Sequence, residues 1–188
     1  MDKMSASSEP VVTVREMALA DLDRLMEYWY QASEEYLRGM GADIAKLPPR
    51  TQFESFLRAQ IQANYVDKSA YALLWLVDGQ AVGHSNVNQI KFGEQAFMHL
   101  HLWQAGQRKR GLGTELVKKS LPFYFERLQL QHLFCEPYAF NPAPNATLAK
   151  VGFEFIKQHR CIPGSLNFEQ EVKRWKMSRE AYLTFNRL

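Results

Sequence analysis

Two histidines one strand repeat apart, a glutamate closing a nearby apolar run, and a basic loop holding two glycines are the groups in this chain best suited to chemistry. His99 and His101 lie in the run FMHLHLW. There Phe97, His99, His101 and Trp103 alternate with Met98, Leu100 and Leu102, which puts two imidazoles and an indole on one face of a strand. An imidazole with a pKa of about 6.5 can take up or return a proton near neutral pH. Glu136, ending the run HLFCE, is the reserve proton acceptor. The loop follows the strand at once: Arg108, Gly111 and Gly113 form R-x-x-G-x-G around Lys109, Arg110 and Leu112. From Thr114 to Arg127 the apolar residues then recur at helical spacing. Such a turn presents backbone N–H groups and the positive end of a helix dipole, a fit for phosphate oxygens.

Two familiar phosphate loops are excluded by residue type. Leu116 stands where a G-x-G-x-x-G fingerprint needs its third glycine, and no G-K-[ST] follows. A plain strand-to-helix turn with a solvated basic tip remains the competing reading of the loop, as hydrogen-bonded wall residues is the competing reading of the two histidines.

The chain resembles the GNAT superfamily of acetyl-CoA-dependent N-acetyltransferases, whose central motif [QR]-x-x-G-x-[GA] sits between a strand and a helix. Arg108, Gly111 and Gly113 match it. NPAPNATLAKVGFEF, from Asn141 to Phe155, is similar to the family's Asn-headed short helix ending in Gly-Phe, most nearly that of the ribosomal-protein N-terminal acetyltransferase branch. Pro144 and Ala149 replace that branch's serine and glutamate, Leu148 occupies the place of a frequent tyrosine acid, and Phe97 that of a frequent glutamate base.

The resemblance implies an α+β GNAT fold with a mixed, mostly antiparallel central sheet flanked by helices. It implies acetyl-CoA as co-substrate with no metal. Its pyrophosphate would lie on Arg108, Lys109, Arg110, Gly111, Leu112, Gly113 and Thr114, with Trp103 and Asn141 holding the pantetheine arm. The acceptor would be a primary amine of a small molecule or a peptide N-terminus. His101, His99 and Glu136 are then the candidate catalytic residues, with Tyr138 a substitute acid. The His-x-His pair is similar to that of arylalkylamine N-acetyltransferases but displaced by two residues.

Composition fits one ordinary domain of 188 residues, 46% hydrophobic. The net charge of +3 implies no genome-binding surface and leaves the basic tripeptide 108–110 as a local feature. Cys135 and Cys161 lack metal-ligand spacing, and Cys135 reads as a buried free thiol. No run approaches membrane-spanning length and no signal core opens the chain, so a soluble, cytoplasmic monomer or homodimer is expected.

The elements needed to position these groups read off in order. Residues 1–10 are a flexible N-terminus, and 11–188 form one domain. A strand at 11–15 precedes a helix from about Ala20 to Leu37 and a second from Thr51 to Asn64. Strands at 71–77, 81–88 and 94–103 form a meander turned at Asp78-Gly79. Pro122 bends the helix after the loop. A strand at 130–136, a short helix at 141–151 and two closing strands at 153–160 and 170–177 complete the chain. Beside the enzyme stand two other readings: a non-catalytic CoA-binding sensor or scaffold, and a nucleic-acid binder using Arg108 to Arg110, which leaves the Asn141–Phe153 match unexplained.

Overall fold

The computed structural model describes residues 9–103 and 111–185. Seven strands form one sheet in the order β1-β2-β3-β4-β5-β7-β6. They are β1 (Val12–Glu16), β2 (Ala70–Val77), β3 (Gln80–Lys91), β4 (Gln95–Leu102), β5 (His132–Cys135), β6 (Glu154–Cys161) and β7 (Gln170–Ser178). All neighbouring pairs are antiparallel except β4 with β5. The mostly antiparallel sheet with flanking helices is the α+β arrangement expected. The β2–β3 hairpin turns at Asp78-Gly79, both with positive φ, as a tight two-residue connection requires.

Each face of the sheet carries its own core. On one, Leu116, Val117 and Leu121 of α4 (Leu112–Pro122) and Leu148 and Val151 of α5 (Pro142–Val151) pack on Leu73, Trp75, Val87, Met98 and Leu133. A buried polar chain ties α4 down: Trp75 Nε1 donates to Ser120 Oγ at 2.9 Å, and Ser85 Oγ lies 3.3 Å from Ser120 Oγ and 2.7 Å from Tyr124 Oη. Past Pro122, which has no N–H to continue the ladder, the helix runs on as a five-residue π segment, Phe123–Arg127.

The other face holds Leu25, Met26, Tyr28 and Trp29 of α1 (Leu22–Gln31) and Leu37 of α2 (Glu34–Gly39), against Leu74 of β2. α3 (Arg50–Gln62) lies over them through half-buried Phe53, Leu57 and Ile61. The single helix expected to Leu37 is two helices, because Ala32 and Ser33 are extended and Ser33 Oγ accepts from Tyr36 N–H as a new N-cap. α6 (Arg179–Phe185) is an added closing helix.

The feature that makes room for a site is a split between β4 and β5. They pair only from Gln95/His132 to Met98/Cys135, although β4 runs on to Leu102. Pro137 explains the parting. It has no N–H for a ladder, and the chain from Glu136 onward follows β7 instead: Lys173 N–H donates to Pro137 O at 3.1 Å and Ala139 N–H to Glu171 O at 2.8 Å.

Candidate active site

A cavity of about 630 Å³ passes through that split. On the α4 face it is lined by Gly113 and Val117 of α4 and by Asn141, Ala143 and Thr147 at the start of α5. On the α1 face it meets His84, His99, His101, Glu136, Trp29 and Phe53. One opening therefore connects the amino end of a helix to a wall of imidazoles and aromatic rings.

Gly111 caps α4 with φ +73°, a left-handed conformation that only glycine adopts without strain. Leu112 and Gly113 open α4, and the N–H groups of a helix's first residues have no carbonyl one turn back to bond. Leu112 is buried beneath them and serves packing, while Thr114 N–H closes the first turn onto Gly111 O at 3.0 Å. Gly113 has room for a side chain: a Cβ there would meet nothing nearer than Thr147 Oγ1 at 3.8 Å. Packing of the protein alone does not demand a glycine at this position, and the residue faces the cavity. Arg108, Lys109 and Arg110 lie outside the described residues.

Asn141 stands at the N-cap of α5 and lines the cavity, its carbonyl accepting from Asn145 Nδ2 at 2.7 Å. Asn145 is a clamp, also donating to Tyr138 O at 3.1 Å and accepting from Trp175 Nε1 at 2.8 Å. Leu148 is buried in the core, and half-exposed Tyr138 sits at the cavity rim.

On the opposite face, strand parity puts His99 and His101 together as the alternation predicts. A third histidine joins them: His84, the cross-strand partner of His101, stacks on it. Trp103 belongs to this cluster. Its Nε1 donates to His84 Nδ1 at 2.8 Å, and its own N–H is committed to Val82 O at 2.9 Å. Tyr28 Oη lies 3.1 Å from His101 Nδ1, and the Trp29 ring stands edge-on to His101. Tyr28 and His84 fall outside the sequence-level candidates. The signal for His84 lay in the register of the β3–β4 hairpin: counting outward from the turn at Phe92-Gly93 sets it opposite His101.

Burial drives these imidazoles toward the neutral form. Desolvation lowers His101 to about 3, with the charge of His99 adding to it. It lowers His99 to about 4, against a smaller upward pull from Glu136. His84 falls well below its usual range for the same reason. Nε2 of His99 is buried without a hydrogen-bond partner, as is Oδ1 of Asn88 nearby on β3. The β6–β7 loop closes over both: a Cβ on Gly164 would come within 3.2 Å of His99 Cε1 and 3.6 Å of Asn88 Nδ2. That loop is laced to the segment after α2 by Asn167 Nδ2 to Gly41 O at 2.8 Å and Lys46 Nζ to Asn167 O at 2.6 Å.

The cavity is poor in free charge. Among its described lining residues the carboxylates are Glu16 and Glu136, and both have partners. Glu16 accepts from Tyr65 Oη at 2.7 Å, and Glu136 from Arg174 Nε at 2.5 Å with His159 Nε2 at 3.3 Å. Lys68, the lining cation, is spent on the C-terminal carbonyls of α3, Gln60 O and Ile61 O.

Comparison with known proteins agrees with this architecture. The family described as acetyltransferase (GNAT) domain matches residues 12–154. No curated protein matches the chain by sequence. Among solved structures, spermidine N-acetyltransferase from Vibrio cholerae in complex with CoA and spermine superposes with a TM-score of 0.73 at 15% identity, covering 92% of this chain and 98% of its own. The ribosomal L7/L12 α-N-protein acetyltransferase RimL in complex with CoA gives 0.72 at 12%, covering 90% and 95%. Aminoglycoside acetyltransferase AAC(6')-Ib with coenzyme A gives 0.69 at 17%, covering 93% and 98%. The chain belongs to the GNAT acetyltransferase family, and its fold is that of these enzymes.

Proposed function

We propose that this GNAT-family chain transfers the acetyl group of acetyl-CoA to a primary amine of low pKa carried on an apolar or aromatic body, a small molecule or a peptide N-terminus. The observation that carries this reading is the continuous cavity from Gly113 in the first turn of α4, through the β4–β5 split, to the histidine wall. In this reading the pyrophosphate rests on the first turn of α4 and the pantetheine arm lies in the split between β4 and Asn141. The amine approaches past Trp29 and Phe53. Its nitrogen bonds to the thioester carbon, the C–S bond breaks, and the proton lost by nitrogen ends on the CoA sulfur. A thiolate with a parent pKa of about 8.5 leaves without a strong acid, which suits a site with Leu148 in the place of a tyrosine.

The acceptor class follows from electrostatics. Moving a proton from an alkylammonium of pKa about 10.4 to an imidazole held at about 4 is uphill by roughly 9 kcal/mol. The same ammonium loses its proton to water at pH 7 for about 4–5 kcal/mol. The neutral histidines are therefore suited to receive an amine that arrives neutral. An α-amine, with a pKa of about 7.7–8.0, needs only about 1 kcal/mol. The two lining carboxylates, both partnered, also give a polycation no unspent negative charge to bind. The cavity thus favours a single amine on an apolar or aromatic body over spermine or kanamycin, which relatives of the same fold hold.

Free CoA thiol released on mixing the protein with acetyl-CoA and amines of graded pKa, with the product weighed by mass spectrometry, tests the proposal. Acetylation of low-pKa monoamines in preference to polyamines is expected. Tight acetyl-CoA binding with no amine acetylated would identify a CoA-binding module without catalysis.

A further inference from the structure

We propose that Glu136, His159 and Cys161 form a zinc-binding site at the edge of the cavity, through which the metal draws on the carboxylate facing the acetyl-transfer centre. Glu136 is distant in sequence from His159 and Cys161 and meets them over β7. His159 and Cys161, two apart on β6, share a face and pair with Val172 and Gln170. Glu136 follows Cys135, the partner of Trp175, and so lies beside Arg174 on the same side of the sheet. Their ligand atoms all fall within 4.8 Å of one another.

The spacing is close to that of a tetrahedral ion, with a different oxygen of the carboxylate near each of the other two ligands. Zinc bonds of about 2.0 Å to nitrogen and oxygen and about 2.3 Å to sulfur set ligand atoms about 3.3 Å (N to O) and 3.5 Å (S to O) apart. His159 Nε2 stands 3.3 Å from Glu136 Oε1, and Cys161 Sγ stands 3.7 Å from Oε2. Arg174 holds the carboxylate by Oε1 at 2.5 Å and leaves Oε2 to the thiol side. Nδ1 of His159 is buried without a hydrogen bond, and Nε2 faces the Glu136 carboxylate, so metal binding at Nε2 moves the ring's proton to Nδ1. One sulfur, one imidazole and one carboxylate select zinc over magnesium or calcium, and three protein ligands leave a fourth position for water. On binding, the Cys161 thiol gives its proton to solvent and the thiolate bonds the metal. Glu136 lines the cavity and its charge acts on His99, so an ion there changes the field at the histidine wall. This last consequence rests on the proposed function; the binding itself does not.

The full chain, stripped with chelator, is titrated with Zn²⁺ alone by calorimetry and with Co²⁺ by absorption. One ion per chain is expected, with a thiolate-to-cobalt charge-transfer band. Affinity should fall at least tenfold in both Cys161→Ser and His159→Gln, and the cobalt band should vanish in Cys161→Ser. Absence of saturable binding in the unaltered protein overturns the site. So does an affinity in the two folded variants equal to that of the unaltered protein, or a cobalt band that persists in Cys161→Ser and thus arises from Cys135. A protein that binds zinc but never transfers acetyl groups supports the metal site and defeats the proposed function.

Discussion

His84 and His101 stack face to face across the β3–β4 pair, ring centroids 4.4 Å apart and planes 5° from parallel. Two protonated rings at that distance would repel in a dry environment, and the fold keeps both neutral. His101 lies at about 3 and His84 well below its usual range, burial being the first cause in each. An unfolded histidine takes up its proton near pH 6.5. Between about pH 6.5 and 3 the unfolded chain therefore binds more protons than the folded one, so stability is full above this window and is lost as pH falls through it. Each ring contributes a slope of up to about 1.4 kcal/mol per pH unit. Urea unfolding at steps from pH 7 to 4.5 should show this loss, and His84→Gln should flatten it; an unchanged slope in that variant would show that His84 titrates normally in the folded protein.

Gly111 and Gly113 separate two demands on one helix start. At Gly111 a side chain would meet open space but carry φ +73°, so Gly111→Val combines backbone strain of about 1–2 kcal/mol with intrusion on the ligand. At Gly113 the backbone is helical and a Cβ has room, so Gly113→Ala should raise stability by about 0.5–1 kcal/mol. The same methyl projects into the cavity, and acetyl-CoA affinity by calorimetry should drop, further still in Gly113→Val. Stabilised variants with unaltered affinity would remove the cofactor from this helix start.

The Trp75–Ser120–Ser85–Tyr124 chain fixes α4, and with it the helix start at Gly111, to the sheet. Ser120 is fully buried and holds the indole N–H of Trp75. Ser120→Ala strands that donor in the core, at a cost of about 1–3 kcal/mol. Ser120→Cys, close in size with a weaker polar group, should lose less. Thermal unfolding of the two variants compares them, and an Ala variant as stable as the parent would mean that the network contributes nothing net.

Local chemistry was legible in the sequence wherever it rested on period and punctuation. Alternation placed His99 and His101 on one face, Asp78-Gly79 set the hairpin, and Pro122 marked the change of helix. Other features rest on register and tertiary approach, which periodicity does not encode. His84 meets His101 only once β3 and β4 are paired. Glu136, His159 and Cys161 come together only because β5 and β6 both pair with β7. The break at Ala32-Ser33 was written as a serine followed by Glu34-Glu35, a cap with an acidic first turn, but the apolar stripe running through it hid the signal.

The last prediction concerns where the amine's proton goes. Rings held at about 4 and about 3 stay neutral throughout the range in which an enzyme of this kind is assayed, so neither contributes an inflection near neutrality. The pH dependence of kcat/KM should instead follow the acceptor's own ionisation, rising until the amine is neutral and shifting with amine pKa across a series. His99→Gln removes the unpaired Nε2 that would accept a hydrogen bond from the neutral amine, and should lower kcat/KM for the amine about tenfold, the scale of one lost hydrogen bond, while acetyl-CoA affinity holds. His101→Gln also disturbs the contacts with Tyr28 and His84, so its loss should be accompanied by lower stability. A parent enzyme with an inflection near pH 6.5 that disappears in His99→Gln would show that bound acetyl-CoA restores an ordinary imidazole. In that case the histidine takes the proton directly, and high-pKa amines become acceptable acceptors.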